Sequence, residues 1–300
     1  MSYLLNYIWG DSTENFEFQY QLFGNPTDIK ETNKNIDKID FESINTMKII
    51  NQTIKNLPEF IKNAKNMKTL IIEDSNIESL DLNILENLDQ LKKIILINIK
   101  INKFNCTNKI KIENLIINQC HQIDINLISN IKSLRELYYI NNSITEICDL
   151  SDLENLTILD LHNNNIETID KIGNLKKLIS LNIGGNLISN IDIIQYCENL
   201  KYLYCNKNKI ESIECLKNLH KITYLIANSN QIKSIDFITD LTSLEVLHID
   251  DNLIRRIPNL LKLKNLKYDE LHIDWKLIDD VDDMKGFKLI KNIILNLIKK

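Results

Sequence analysis

Three residues in the middle of the chain have the chemistry of a catalytic triad: Asp160, His162 and Ser180. If Asp160 and His162 lie on one face of a β-strand and Ser180 lies on the next strand, His162 and Ser180 are four residues apart along the strand direction. That offset is about 13 Å at about 3.3 Å per residue. A nucleophile and its base must lie within hydrogen-bond reach, about 3 Å. The sequence therefore predicts no triad and no catalytic residue.

Metal binding is the second chemistry that the histidines suggest. His162 and His248 occupy the same register of the predicted sheet but lie four strands apart, on the order of 19 Å at about 4.8 Å per strand. Ligands that share a zinc ion lie about 2 Å from it. No phosphate loop, kinase motif, HExxH or CxxC motif occurs. We therefore predict no metal, no cofactor and no enzyme activity. The other histidines are predicted to be surface or turn residues: His121, His220 and His272.

The six cysteines are too few and too irregularly spaced for a disulfide scaffold, which favours a reducing, cytoplasmic setting. We expect Cys148, Cys197 and Cys205 to be small buried hydrophobic residues. The first ten residues lack the basic and apolar stretches of a signal peptide. No apolar run approaches the roughly 18 residues of a membrane helix. With 44% hydrophobic residues and a net charge of -5, the chain is expected to fold rather than remain disordered.

The elements that would position these residues follow from an internal repeat. One unit places its pattern residues at Leu156, Leu159, Leu161, Asn164, Ile166, Ile169, Ile172 and Leu175. Adding 22 to each number gives the next unit, so the period points to stacked repeats. Six consecutive units keep this register, beginning at Leu134, Leu156, Leu178, Leu200, Ile222 and Leu244. Four looser units precede them, beginning at Ile44, Met67, Leu91 and Ile112.

The asparagine of each unit has a specific task. Its amide supplies both a donor and an acceptor for a turning backbone. In the looser units Gln52, Ser75 and Cys120 stand at this position and can do so only in part. We therefore expect the turns of those units to be less regular.

The pattern LxxLxLxxNxIxxIxxLxxLxx resembles the 22-residue class of the leucine-rich repeat family. The resemblance implies an α/β solenoid, a horseshoe with a concave parallel β-sheet and a convex side of 3₁₀ or irregular helical returns. Strands stack about 4.8 Å apart and helices about 8–10 Å apart, so such a stack must curve with the strands inside. Intracellular phosphatase-regulating proteins and bacterial internalins are similar in pattern. The pattern is therefore specific for fold and not for function.

The sequence predicts three regions. Residues 44–265 form ten repeats. Residues 1–43 form an N-terminal cap, a β-hairpin of Tyr3–Trp9 with Phe16–Phe23 followed by a short helix. Residues 266–300 form a degraded repeat and a capping helix over Asp282–Lys299, because terminal repeats expose apolar faces. Membrane attachment of that helix is an alternative, since its polar face carries lysines.

Function in such a solenoid is expected on the outward strand positions of the concave face. Apolar residues there include the group Ile71, Ile95, Ile97, Ile116 and Ile140. A preference of Tyr and Ile for strands, and an AT-rich genome, are alternative explanations for these residues. Exposed aromatic residues are frequent interface anchors. The residues predicted to bind a partner are Tyr138, Asp160, His162, Tyr202, Tyr204, Tyr224, Ile226, His248 and Asp250.

We therefore predict a monomeric, non-enzymatic scaffold that binds a protein partner on its concave face, such as a regulatory or targeting subunit. Nucleic-acid binding is not expected, because the outward positions mix Lys48 and Lys93 with several carboxylates and form no basic face. An exported effector or adhesin resembling the internalins is the alternative function.

Overall fold

A parallel sheet of twelve strands runs through the molecule. The computed structural model describes residues 17–20, 40–120, 123–281 and 288. In the sheet, the spatial order of the strands follows their order in the sequence: β1-β2-β4-β6-β8-β9-β10-β11-β12-β13-β14-β16. The strands of the described chain are β1 (Glu17–Tyr20), β2 (Thr46–Ile50), β3 (Thr53–Ile54), β4 (Thr69–Glu73), β5 (Asn76–Asp81), β6 (Lys93–Ile97), β7 (Lys100–Asn105), β8 (Asn114–Asn118), β9 (Glu136–Ile140), β10 (Ile158–Asp160), β11 (Ser180–Asn182), β12 (Tyr202–Tyr204), β13 (Tyr224–Ile226), β14 (Val246–His248), β15 (Arg256–Ile257), β16 (Leu271–His272) and β17 (Asp280–Val281).

Residues at the same position of successive repeat units lie opposite one another in the sheet. Leu159 lies opposite Leu137 on one side and Leu181 on the other. These inward leucines are fully buried, whereas the flanking Ile158 and Ser180 on the other face are half-buried. Alternation along each strand thus separates a continuous apolar core from the outer face of the sheet. The predicted leucine-rich-repeat solenoid with a parallel sheet is confirmed.

The chain returns from one strand to the next mainly through 3₁₀ helices, as the spacing of three between apolar residues predicts. Each return buries aliphatic residues such as Ile194 and Leu216 against the core. Within the described residues, the 3₁₀ helices are Phe41–Ser43, Glu59–Asn63, Leu82–Leu85, Asp170–Ile172, Asp192–Tyr196, Glu214–Leu216, Asp236–Asp240, Leu260–Lys262 and Tyr268–Glu270, and an α-helical turn, α1, spans Ile125–Ile128.

The returns of the early units differ from this expectation. There, β3, β5 and β7 form a second parallel sheet of three strands, and β15 pairs with β17 near the other end. Ile77 and Leu80 of β5 are buried, as are Ile101 and Phe104 of β7. The backbone groups of these segments bond from one unit to the next, whereas a 3₁₀ turn bonds within itself. Extended segments rich in Ile, Thr and Phe satisfy their backbone in this way.

A ladder of asparagine side chains lies beside the core. Asn186 Nδ2 donates to the carbonyl oxygens of Ile183, in its own unit, and of Leu161, in the preceding unit, both at 3.0 Å. Its Oδ1 accepts the amide of Ile166 at 3.0 Å. The same three bonds recur at Asn208, Asn230 and Asn252. Each of these amides therefore binds two units together and has the predicted donor and acceptor role.

In the early units the residues at the ladder position make only part of this set, as predicted, but the turns are not less regular: Asn51, Asp74 and Gln119 have φ values of 55°, 49° and 57°. Cys120 Sγ lies 3.5 Å from the carbonyl of Leu96 and 3.2 Å from that of Asn118. Ser75 Oγ donates to the carbonyl of Glu73 at 2.7 Å and accepts the amide of Gln52 at 3.0 Å. Both side chains are shorter than that of asparagine, so each makes only some of the three hydrogen bonds of a ladder asparagine.

A left-handed residue precedes each ladder position. Asn163 has a φ of 54°, Gly185 of 66° and Lys207 of 54°. The left-handed region is unfavourable for a residue with a Cβ atom. Gly185 has a second constraint, because a Cβ atom there would collide with Oδ1 of Asn163. The neighbouring units are thus closely packed at this turn.

The predicted caps lie largely outside the described residues. Strand β1 falls within the predicted strand Phe16–Phe23 and pairs in parallel with β2. Its predicted hairpin partner, Tyr3–Trp9, is outside the described part, and so is the helix predicted over Asp282–Lys299 apart from Lys288. The ten strands from β2 to β14 in the large sheet fall one in each predicted unit. The boundaries at 1–43, 44–265 and 266–300 stay predictions.

Loss of one ladder asparagine should destabilise the protein measurably. Asn186→Ala removes three hydrogen bonds and leaves buried backbone groups unsatisfied, at a cost of about 2–4 kcal/mol. Urea unfolding followed by circular dichroism measures the difference. Asn218→Ala, at an exposed asparagine, is the matched control and should change stability by less than about 0.5 kcal/mol. Equal effects of the two substitutions would contradict a structural role of the ladder.

Candidate functional site

The concave face begins with a patch of aliphatic residues that pack on one another. Ile71, Ile95 and Ile116 lie on the adjacent strands β4, β6 and β8 and are 7%, 1% and 3% exposed. Ile97 and Tyr138 border them. Sequence analysis expected these outward residues as an apolar surface. They are outward, but Ile71, Ile95 and Ile116 form a small second core and offer little surface to a partner.

Tyr138 belongs to this first part of the face, apart from the other predicted tyrosines. Its hydroxyl lies 3.4 Å from Oε2 of Glu136, which also accepts Nδ2 of Asn114 at 2.9 Å. Burial lowers the pKa of the nearby Lys93, and the charge of Glu136 opposes that shift. Strand β9, which carries Tyr138, is three strands from β12, about 14 Å at about 4.8 Å per strand. The structure therefore does not bring Tyr138 into the predicted tyrosine patch.

A polar junction fills the middle of the face. His162 Nδ1 lies 2.6 Å from Oδ1 of Asp160, and Asn182 Nδ2 donates to Oδ2 of Asp160 at 3.1 Å. Both carboxylate oxygens are thus engaged within the protein, and Asp160 is 8% exposed. Asp160 and His162 were predicted from the sequence to bind a partner. The structure instead places Asp160 in an internal network, and the His162 ring lies against it.

This junction does not have the geometry of a triad. Ser180 lies opposite Ile158 in the sheet, and Asn182 lies opposite Asp160. His162 follows Asp160 by two residues, so it lies further along the strand direction, away from Ser180. The histidine and the carboxylate are paired as in a triad, but the serine is out of register with them.

The second half of the face carries the aromatic patch. Tyr202 and Tyr224 are opposite one another on β12 and β13, with ring centroids 5.3 Å apart and planes inclined by 49°. In the next row Tyr204 lies opposite Ile226, and Ile226 lies opposite His248. All five side chains are half-buried. We name this surface, formed by Tyr202, Tyr204, Tyr224, Ile226 and His248, the aromatic patch.

Two further side chains extend this surface at its last strand. His272 of β16 lies opposite His248, and the two rings stack with centroids 3.8 Å apart and an angle of 7°. Oε2 of Glu270 is 3.4 Å from Nε2 of His248. Burial, and then the neighbouring His272, lower the pKa of His248, against the opposing effects of Glu270 and Asp250. Asp250 is half-buried beside this group.

Sequence reasoning missed the association of His248 with His272. His272 is exposed, as predicted for a surface residue, but adding 22 to His248 leads to Glu270, so the repeat period did not indicate the contact. The last unit is two residues longer in the structure, since Leu247 lies opposite Leu271. The available signal was the order Glu270-Leu271-His272, which puts the two polar side chains on one face of a strand.

The cysteines are buried, as predicted for Cys148, Cys197 and Cys205. All six are free thiols, and of them Cys215 alone is half-buried rather than buried. Burial raises the pKa of the Cys205 thiol to about 12 and that of Cys197 to about 11. A thiol with such a pKa is hardly ionised near neutral pH and is a poor nucleophile or metal ligand.

A family model and the solved structures agree with this architecture. The model for leucine-rich repeats, described as "Leucine Rich repeats (2 copies)", matches residues 154–196, 176–218, 198–241 and 220–260. The chain is a leucine-rich-repeat protein. Among curated proteins, none matches this leucine-rich-repeat chain significantly.

Three solved structures illustrate the likeness. An internalin from Listeria monocytogenes is 22% identical, with a TM-score of 0.54 over 81% of this chain and 88% of that one. The Arabidopsis receptor kinase HAESA, in complex with the peptide hormone IDA and the co-receptor SERK1, is 19% identical, with a TM-score of 0.62 over 77% and 42%. TLR13 in its complex with ssRNA13 is 19% identical, with a TM-score of 0.59 over 77% and 36%.

These likenesses show the fold of the leucine-rich-repeat chain. The chain spans less than half the length of the HAESA and TLR13 chains. Within residues 17–20, 40–120, 123–281 and 288, no helix combines the length and the apolar character needed to cross a membrane.

Thiol labelling tests the placement of the cysteines. Native protein at about pH 8 should react slowly with Ellman's reagent, because burial raises the thiol pKa and restricts access. Unfolding in urea should release all six thiols. The native rate should increase with pH toward 11, where the Cys197 thiolate forms. A thiol that reacts at the rate of free cysteine in the native protein would contradict this placement.

Proposed function

We propose that this leucine-rich-repeat chain is a non-enzymatic scaffold that binds a protein partner on the second half of its concave face. The single observation that carries the proposal is the aromatic patch, a contiguous group of half-buried side chains on three adjacent strands. Tyrosines contribute large contact areas at a low cost in side-chain entropy, which suits them to be anchors of an interface.

The contrast between the two halves of the face supports this location. In the first half, the outward isoleucines bury one another, so a partner gains little apolar contact there. In the middle, the carboxylate of Asp160 is already hydrogen-bonded. The aromatic patch is the part of the concave face where Tyr202 and Tyr224 retain both apolar surface and polar hydroxyls for a partner.

The charges of the concave face favour a protein over a nucleic acid. Across the outward positions of the described strands the lysines are Lys48 and Lys93, and the turns that follow the strands add Lys207. The acidic residues there outnumber them: Glu73, Glu136, Asp160, Asp250, Glu270 and Asp274. Phosphate binding depends on a basic surface. The TLR13 structure is a complex with RNA, but the acidic character of the face here supports a protein or peptide partner, such as the peptide in the HAESA complex.

The proposal takes the scaffold to be a monomer in the cytoplasm, acting as a regulatory or targeting subunit. The six free thiols support a reducing compartment. An exported effector or adhesin is the second candidate function. It is favoured by the likeness to the internalin over 88% of that chain. Fractionation of the source cell distinguishes the two, because an exported protein is recovered outside the producing cell.

Substitution of the tyrosines tests the proposed interface. In affinity capture followed by mass spectrometry, the triple variant Tyr202/Tyr204/Tyr224→Ala should recover its partner at least about tenfold less than the unmodified protein, since each anchor contributes about 2 kcal/mol or more. Circular dichroism must show that the variant is folded.

The matched control is Tyr196→Ala. Tyr196 is a tyrosine at the end of the 3₁₀ return Asp192–Tyr196, outside the concave sheet, and is 49% exposed. This variant should recover the partner as well as the unmodified protein does. Equal recovery by the folded triple variant would refute the concave site, and recovery of RNA in place of protein would refute a protein partner.

A further inference from the structure

Three metal-binding side chains meet where the last two strands of the large sheet pair. His248 on β14 and His272 on β16 are register partners. Glu270 is the last residue of the 3₁₀ helix Tyr268–Glu270, directly before β16, and its carboxylate contacts the His248 ring. The buried Leu247 and Leu271 hold the two strands in this register from the core side, 0% and 2% exposed. The three side chains therefore project from a well-anchored backbone.

Their separations suit a common ion. One donor atom from each of His248, Glu270 and His272 can be chosen so that all three lie within 4.8 Å of one another. Ligands about 2.0–2.1 Å from a tetrahedral ion are about 3.3 Å apart. The contact from His248 Nε2 to Glu270 Oε2 is already 3.4 Å. Closing the remaining distance needs side-chain rotation and no movement of the sheet.

The surroundings allow that rotation. The Glu270 side chain is 48% exposed, and His272 is exposed as well, whereas the His248 side chain is 22% exposed. An ion must lie near the plane of each imidazole ring that binds it, so the stacked rings have to tilt relative to one another on binding. His248 is the least exposed of the three side chains, so we expect its ring to stay in place while the side chains of His272 and Glu270 rotate.

We propose that His248, Glu270 and His272 form a binding site for a divalent transition-metal ion, with zinc as the best match. Two imidazoles and one carboxylate are a donor set typical of zinc sites with an open fourth position. The preference for imidazole nitrogen excludes magnesium and calcium, which bind oxygen ligands. Water, or a carboxylate or imidazole from a bound partner, completes the coordination.

The other histidine–carboxylate pair of the face differs in an informative way. Oδ1 of Asp160 lies 2.6 Å from His162 Nδ1, and Oδ2 accepts Asn182, so both of its oxygens are engaged within the protein. This pair has no second imidazole beside it, because the next two units have Gly184 and Asn206 at the position that corresponds to His162. His162 is consequently a control for histidine on the same face.

The bound ion would cross-link the last two strands of the sheet. It would also fix the ring of His248, which lies in one row with Tyr204 and Ile226 of the aromatic patch. The site does not depend on the proposed partner, since its ligands all come from this chain.

Isothermal titration of the metal-free full chain with zinc chloride tests the site. We expect one equivalent to bind to the unmodified protein. His272→Ala and Glu270→Gln should each weaken binding by at least about tenfold, because loss of an outer-sphere partner alone costs about 10–100-fold. His220→Ala, which changes a histidine on an exposed return, should bind zinc as the unmodified protein does.

Cobalt(II) gives a second measurement that depends on geometry. Its visible absorption should intensify on binding, as expected for a low-coordinate site, and His248→Ala should abolish the increase. Magnesium and calcium in excess should displace neither ion. Absence of zinc binding at micromolar concentrations would refute the site. Binding that is equally strong in the His248→Ala/His272→Ala variant would refute it too, because the ion would then lie elsewhere.

Discussion

Each ladder asparagine hydrogen-bonds to two repeat units at once, and the arrangement of the molecule depends on this. The amide of Asn186 bonds to its own unit through Ile183 and to the preceding one through Leu161 and Ile166. The bonds set both the offset of one unit on the next and the turn that ends each strand. A constant offset keeps Leu159, Leu181 and their equivalents in one row. The same offset aligns the outward residues of successive strands into rows, so the concave surface is also a product of the ladder.

The concave face therefore consists of three successive surfaces. In the first, isoleucines are buried against one another, and in the middle the carboxylate of Asp160 is hydrogen-bonded within the protein. Toward the last described strands lie the tyrosines and then the stacked His248–His272 pair. The proposed partner site and the proposed metal site thus both lie toward the same end of the large sheet.

The sequence predicted the fold well because the repeat is long and its pattern residues do one task each. The period from Leu134 onward located the strands and the asparagine ladder directly. It could not predict that Ile95 and Ile116, although outward, bury each other, because that burial depends on side chains from neighbouring strands. Nor did it predict strands β5 and β7, where backbone pairing replaces the 3₁₀ turn. The His248–His272 contact was missed since the unit that separates them departs from the 22-residue period. The repeat therefore located one strand in every unit, and it did not predict contacts that depend on neighbouring side chains or on a change in unit length.

The second sheet of β3, β5 and β7 also gives the molecule an uneven stiffness. Over residues 53–105 backbone hydrogen bonds join successive units at the front and at the back. Such a segment resists bending, because any change of curvature must stretch the hydrogen bonds on one of its two sides. From Asp170 to Asp240 the back contains 3₁₀ turns that bond within themselves, and single backbone bonds, such as that from Leu187 N to the carbonyl of Ile166, join successive units there. Elastic deformation should concentrate in this second segment, where fewer backbone bonds join the units, and the tyrosines of the aromatic patch lie within it.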